Sequence, residues 1–223
     1  MMSAQSARPP LFITFEGIEG SGKTTQIARL AARLEQSGRS VLLTREPGGC
    51  PVADAIRSVL LRPDHAGMVP RSELLLYAAA RAQHVEEVIR PALDAGRWVL
   101  CDRFADATLA YQGFGRGLDS ALIEQVNRLS TQGLVPDLTL LLDLPAADGL
   151  ARARDRNALR AGANDDRFER EEMAFHHRVR NGYLRLAEGN PRFRLIEARH
   201  APEQVEKLVA AAVDPFIAGF ADP

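Results

Sequence analysis

The chain has 223 residues, 46% apolar and 26% charged, the balance of one globular domain long enough to bury a real core. A formal net charge of −1 excludes a bulk electrostatic nucleic-acid binder, so no nucleic-acid partner is expected. No run of ~18 apolar residues marks a membrane span, and the opening MMSAQSARPP lacks an apolar signal segment, so the expected location is cytoplasmic.

In chain order, residues 1–10 read as a flexible tail, followed by LFITFE (11–16), the first of five short apolar runs. VLLT (41–44), WVLCD (98–102), LTLLLD (138–143) and FRLIE (193–197) are the others. Several are apolar at successive positions, as parallel strands covered on both faces require. Helical spacing lies between them. Ile27, Leu30, Ala31 and Leu34 recur at i, i+3, i+4 and i+7, with Gly38 to end the helix. Leu122, Ile123, Val126 and Leu129 repeat the pattern behind Asp119 or Ser120 as N-cap. Val205, Leu208, Val209 and Ala212 do so behind Pro202. This alternation predicts an α/β fold, a doubly wound five-stranded parallel sheet flanked by helices, within a single domain over 1–223. Cys50 and Cys101 have neither metal nor disulfide spacing and read as reduced thiols.

Sites in such folds lie beyond the carboxyl ends of the strands. Behind the first strand, Gly17-Ile18-Glu19-Gly20-Ser21-Gly22-Lys23-Thr24 matches G-x-x-x-x-G-K-[ST] and opens a helix, the context that a P-loop requires. Its backbone amides, with Thr25 in the first helical turn, are expected to cradle a triphosphate. Lys23 would neutralise the β- and γ-phosphates, and the Thr24 hydroxyl would take a place on Mg²⁺. A GTPase needs an N-K-x-D guanine motif and a D-x-x-G switch at a strand end, and neither is present. A motor ATPase normally brings a larger chain. The remaining class is a kinase of a small metabolite.

Three further stretches address the acceptor. TREPGG (44–49) places Arg45 within reach of a phosphate and lets the backbone approach a ligand; an ordinary strand-to-helix turn accounts for it equally well. In ELLLYAAARAQ (73–83), Tyr77 and Arg81 share a helical face, suited to stacking on a base and bonding its edge. By spacing alone, a core tyrosine beside a solvated arginine is the stronger reading. In CDRFADATLAYQGFGRG (101–117), Asp102 suits Mg²⁺ or its water and Arg103 a phosphate clamp, against a plain salt pair at a strand end.

GIEGSGKT, TREPGG, the Tyr77-to-Arg81 stretch, DRF with AYQGFGRG, and the later DDRFE occur in the same order as in thymidylate kinases, and over residues 11–200 the chain resembles that family. The resemblance implies phosphorylation of dTMP to dTDP by ATP with Mg²⁺, in a homodimer to which helical stretches such as 54–61 and 72–94 could contribute. It implies that Tyr77 stacks on thymine, where many relatives have phenylalanine, and that Arg81 bonds the base with Thr108 and Gln112 nearby. Tyr111 would lie against the sugar and favour a 2′-deoxy substrate. Arg103 and Arg45 would hold the acceptor phosphate beside Pro47, and Glu19 would meet the sugar, at its 3′-hydroxyl.

The arginine-rich stretch from Arg152 to Arg185 is by default a salt-bridged helical surface, yet RNALRAGANDD suits a mobile loop. Some family members carry an arginine directly after the acidic loop residue. Gly20 stands there in this chain, which resembles the branch whose catalytic arginine comes from a helical lid, here about 152–170. Arg156 is the first choice, with Arg152, Arg154, Arg160 and Arg167 as alternates. Glu197 departs from the aspartate expected at that strand end. Two rival functions are a deoxynucleoside or other small-metabolite kinase, which needs no cationic clamp for an acceptor phosphate, and a nucleotide-binding switch.

Overall fold

The computed structural model describes residues 9–158 and 167–218. Most of the expected tail, the middle of the expected lid, and Arg160 therefore lie outside the described residues. Five strands, β1 (Phe12–Glu16), β2 (Val41–Arg45), β3 (Trp98–Asp102), β4 (Leu138–Asp143) and β5 (Phe193–Glu197), form one sheet in the order β2-β3-β1-β4-β5. Every pairing is parallel. The chain thus has the doubly wound P-loop architecture.

Between β1 and β2 runs α1 (Lys23–Gln36), followed after β2 by α2 (Pro51–Leu61) and α3 (Pro70–His84). A π-helical turn, Val85–Ile89, joins α3 to α4 (Arg90–Asp94). Beyond β3, α5 (Ala105–Thr108) passes into a second π-helical segment, Leu109–Gly115, and then α6 (Ser120–Thr131). Finally α7 (Ala146–Ala158) and α8 (Met173–Ala187) lie between β4 and β5, and α9 (Pro202–Ala218) follows β5.

Strand alternation explains the two covered faces. Ile13, Phe15, Leu100, Leu138, Leu140 and Leu142 point to one side, against Ile27, Leu30 and Leu34 of α1 and Val205 and Val209 of α9. Phe12, Val99 and Cys101 point to the other, against Val85, Ile89 and Phe104. Burying both sides of a strand removes the polar half of the pattern, hence the continuous apolar runs. Gly38 adopts φ 81 just past α1, as a terminating glycine should. Both cysteines are free and buried.

One helical face was misread. Asp119 does cap α6, accepting a bond from the Leu122 amide at 2.9 Å. But Ile123, Asn127, Ser130 and Thr131 are the buried positions, while Leu129 is 81% exposed and Leu122 38%. Polar residues line the inner face because Asn127 is needed there as a partner for Arg81 and the Ala105 carbonyl. Of the apolar positions read from the sequence, Ile123 is buried and Val126 partly so, whereas Leu122 and Leu129 face outward.

β1 lies between β3 and β4, so the loop that leaves it emerges at the centre of the sheet. That loop is seated on α7 by contact between glycines. A Cβ on Gly20, at φ 70, would lie 2.0 Å from the Gly149 carbonyl oxygen, and one on Gly149 would lie 2.5 Å from that of Glu19. Gly149→Ala should therefore cost about 1–3 kcal/mol, measured by urea unfolding, and should weaken ATP binding because the loop must shift. Unchanged stability would show that α7 yields without strain.

Candidate active site

The carboxyl ends of β1, β2 and β3 open into one cleft of about 800 Å³. Glu19, Gly20, Gly22, Lys23, Thr24 and Thr25 form its floor. Gly17, Ile18 and Ser21 stand behind that floor, where they bind the lysine. Lys23 Nζ donates to the Gly17 carbonyl at 3.0 Å, the Ile18 carbonyl at 2.8 Å and Ser21 Oγ at 3.3 Å. Burial, and then repulsion from Arg103, push its pKa down to about 8. An anion in the loop would reverse both effects by offering the ammonium a counter-charge.

Thr24 Oγ1 donates to Asp102 Oδ2 at 3.2 Å, bringing together the two oxygen donors read as metal ligands. Asp102 and Arg103 are not a mutual salt pair. Arg103, at φ 69, turns its guanidinium towards the loop instead. It donates to Glu19 Oε1 at 3.1 Å and Tyr183 Oη at 3.0 Å, with its Cζ 4.8 Å over the Tyr111 ring. Tyr183 in turn donates to Glu16 Oε2 at 2.7 Å, while the Phe104 amide donates to Oε1. Burial and the nearby Asp106 charge push Glu16 up to about 8, against the pull of Arg103.

Glu19 is the loop's own carboxylate, and it is held from three sides. Tyr111 Oη donates to its Oε1 at 2.5 Å beside Arg103, and His176 Nδ1 of α8 lies 3.6 Å from Oε2. Burial alone would raise its pKa, but His176, Arg103 and Tyr111 together hold it well below the usual carboxylate range. The anion is therefore compensated by Arg103, Tyr111 and His176 from outside the loop. His176, 1% exposed, gave no signal in the sequence, because only the fold brings α8 to the loop.

Across the cleft lie Arg45, Pro47 and Arg57 from the β2–α2 region, with Tyr77, Thr108, Tyr111 and Gln112 from α3 and the helical segments after β3. Arg57 was not singled out from the sequence. It donates to the Pro47 carbonyl at 2.8 Å, which ties it to TREPGG. Arg45 pairs with Asp54 at 3.2 Å, both half exposed. Arg81 is neither solvated nor on the cleft wall. It is 1% exposed and donates to Glu46, Asn127, the Phe104 carbonyl and Thr108 Oγ1 at 2.8–3.2 Å, so Glu46 and Thr108, which line the cleft, link it there. Glu46 also takes His84 Nδ1 at 3.1 Å, which explains its inward turn.

The lid arginines separate clearly. Arg156 and Arg152 line the cleft, whereas Arg154 is exposed elsewhere on α7. Arg156 binds Glu169 at 2.7 Å and remains 46% exposed, so one carboxylate restrains a reachable guanidinium. Arg152 donates to the Ala198 and Arg199 carbonyls. Arg167 is buried away from the cleft, 2.6 Å from Glu73. Phe168 beside it stacks edge-on to Tyr111, with centroids 5.6 Å apart. Glu197 is exposed and faces His200 at 3.4 Å, outside the site.

Residues 15–209 match the family model described as thymidylate kinase. Thymidylate kinase of Syntrophotalea carbinolica is 61% identical over 195 residues, covering 87% of this chain and 90% of that protein. That of Trichlorobacter lovleyi is 58% identical over 204 residues, covering 91% and 96%. The crystal structure of thymidylate kinase from Ehrlichia chaffeensis superposes with a TM-score of 0.74 at 34% identity, covering 92% of this chain and all of that one. With a P-loop, a DR pair and an arginine-bearing α7 around one cleft, this chain belongs to the thymidylate kinase family.

Proposed function

We propose that this chain transfers the γ-phosphoryl group of ATP to the 5′-phosphate of dTMP, giving ADP and dTDP. The observation that carries this reading is that one cleft is lined both by a phosphate loop and by an acceptor wall of Arg45, Arg57, Arg103, Tyr77, Tyr111 and Gln112. Lys23 and the loop amides face the donor triphosphate. Arg103, with Arg45 and Arg57 nearby, answers an acceptor that itself carries a phosphate, which a nucleoside kinase would not need. Tyr77 offers the thymine a ring to stack on, and Glu19 meets the sugar from the loop's other side. One loop then registers donor against acceptor, the alignment that in-line displacement needs.

The oxygens of Thr24 and Asp102, 3.2 Å apart, would hold Mg²⁺, which would supply neutralisation of the triphosphate's negative charge. Arg156 exchanges Glu169 for the migrating phosphoryl group as charge spreads over its equatorial oxygens. Among the described residues no helix is long and apolar enough to cross a membrane.

The working unit is a homodimer. Val52 and Val59 on α2, Leu75 on α3, and Leu122 and Leu129 on α6 are all exposed, and α3 packs between the other two helices. A second copy covers this apolar surface. Sedimentation should give a dimer mass for the wild type and a monomer for Leu75→Asp combined with Leu129→Asp. A wild-type monomer at micromolar concentration would remove this part of the reading.

The activity itself is tested by coupled assay with ATP and each nucleoside monophosphate. dTMP should have the highest kcat/KM, and a preference for AMP, CMP or GMP would sink the proposal. In the same assay Arg156→Ala should lower kcat by about 10²-fold or more while changing ATP affinity little. Unchanged turnover would assign the charge to another arginine.

A further inference from the structure

Glu73 of α3 is fully buried, belongs neither to the phosphate loop nor to the cleft lining, and has no part in the reaction described above. Its carboxylate nevertheless has donors on every side. Arg167 Nη1 lies 2.6 Å from Oε2, and Arg116 reaches Oε1 with Nε at 3.2 Å and Oε2 with Nη2 at 3.3 Å. The third partner is Gln112, whose Nε2 donates to Oε1 at 2.7 Å. Gln112 lines the cleft.

A guanidinium has only donors, so both oxygens of Glu73 act as acceptors. The end of the Gln112 amide that meets them must then be the NH₂ group, whichever way the two ends would otherwise be assigned. Its carbonyl oxygen is the end left to face the cleft. Thymine and uracil carry a hydrogen on N3 and match such an acceptor, whereas cytosine presents a bare N3 lone pair and is repelled.

We propose that Glu73 is a positioning residue for base choice. It locks the Gln112 amide with its oxygen towards the acceptor and thereby selects monophosphates whose base has a ring N–H. Arg116 and Arg167 make the lock rigid by fixing the carboxylate, and the Arg116 guanidinium is itself held 4.6 Å over the Phe175 ring. A neutral residue that both donates and accepts would release the amide to turn over. Carbonyl-out and NH₂-out states would then both form, the second suited to cytosine. The inference rests on the acceptor reading of the cleft and adds the residue that sets its polarity.

Glu73→Gln tests it through ratios of kcat/KM. The dTMP-to-dCMP ratio should fall at least ~10-fold, the discrimination of a single oriented hydrogen bond. The dTMP-to-dUMP ratio should stay within ~2-fold, because uracil shares the N3 hydrogen. In a Gln112→Ala background the same substitution should change the dTMP-to-dCMP ratio less than ~2-fold, since Glu73 acts through that amide. An unchanged dTMP-to-dCMP ratio, or an equal fall in both backgrounds, overturns the proposal; so does a uniform loss for all three acceptors. Should Glu73→Gln not fold, Glu73→Asp keeps the charge for both arginines, withdraws it from Gln112, and is judged by the same ratios. A wild type that prefers dCMP would instead overturn the proposed function, before any variant is made.

Discussion

The contact between Glu19 and Arg103 joins two segments that are 84 positions apart in the chain, and the cleft depends on it. One belongs to the loop after β1, the other to the turn after β3. Because β1 and β3 are hydrogen-bonded neighbours, their carboxyl ends emerge side by side, and a charge on each bridges the two segments. The bridge is largely withdrawn from water, with side chains 12% and 18% exposed. In that setting a carboxylate without its arginine would be strongly disfavoured, so each motif stabilises the charge the other needs.

The same device recurs around the site. Glu16, Glu46 and Glu73 are buried carboxylates, and each has as neighbours groups that line the cleft or hold those that do. Glu46 orients Arg81, which reaches Thr108; Glu73 orients Gln112; Glu16 holds Tyr183, which accepts from Arg103. Burying so many ionisable side chains is not the most stabilising use of a core, since apolar residues of similar volume often serve stability as well or better. Fixed donors and acceptors gain something different. They are already aimed when the ligand arrives, which is the condition for electrostatic preorganisation.

How much of this was legible follows from whether the signal is local. The phosphate loop is a contiguous string whose spacing encodes its shape, and the strands announce themselves because both their faces are buried. Asp102 and Arg103 stand at the end of a strand in one motif, Tyr111 and Gln112 were named from the family resemblance, and all four line the cleft. Glu46, Glu73, Arg57 and His176 were not found, because their meaning lies in partners 10 to 157 positions away that no periodicity marks. Arg81 illustrates the limit best. On a helical wheel it is a charged residue near an exposed turn, yet Glu46 and Asn127 make it one of the most buried side chains in the molecule. The α6 face was only partly legible for the complementary reason: Ile123 is buried as read, but Asn127, which serves that arginine, makes the rest of the inner side polar.

The glycine contact between the loop and α7 bears on where the transferring charge must come from. At Gly20 a side chain would start at positive φ, with its first carbon already inside the Gly149 backbone. An arginine at this position is therefore excluded by packing as well as absent by sequence. Removing it lets α7 close down on the loop, and α7 is the helix that carries Arg156 and Arg152 along the cleft wall. Close seating of that helix and a bare loop are two sides of one arrangement. The position that forgoes a charged side chain is what allows a charged helix to approach the phosphates.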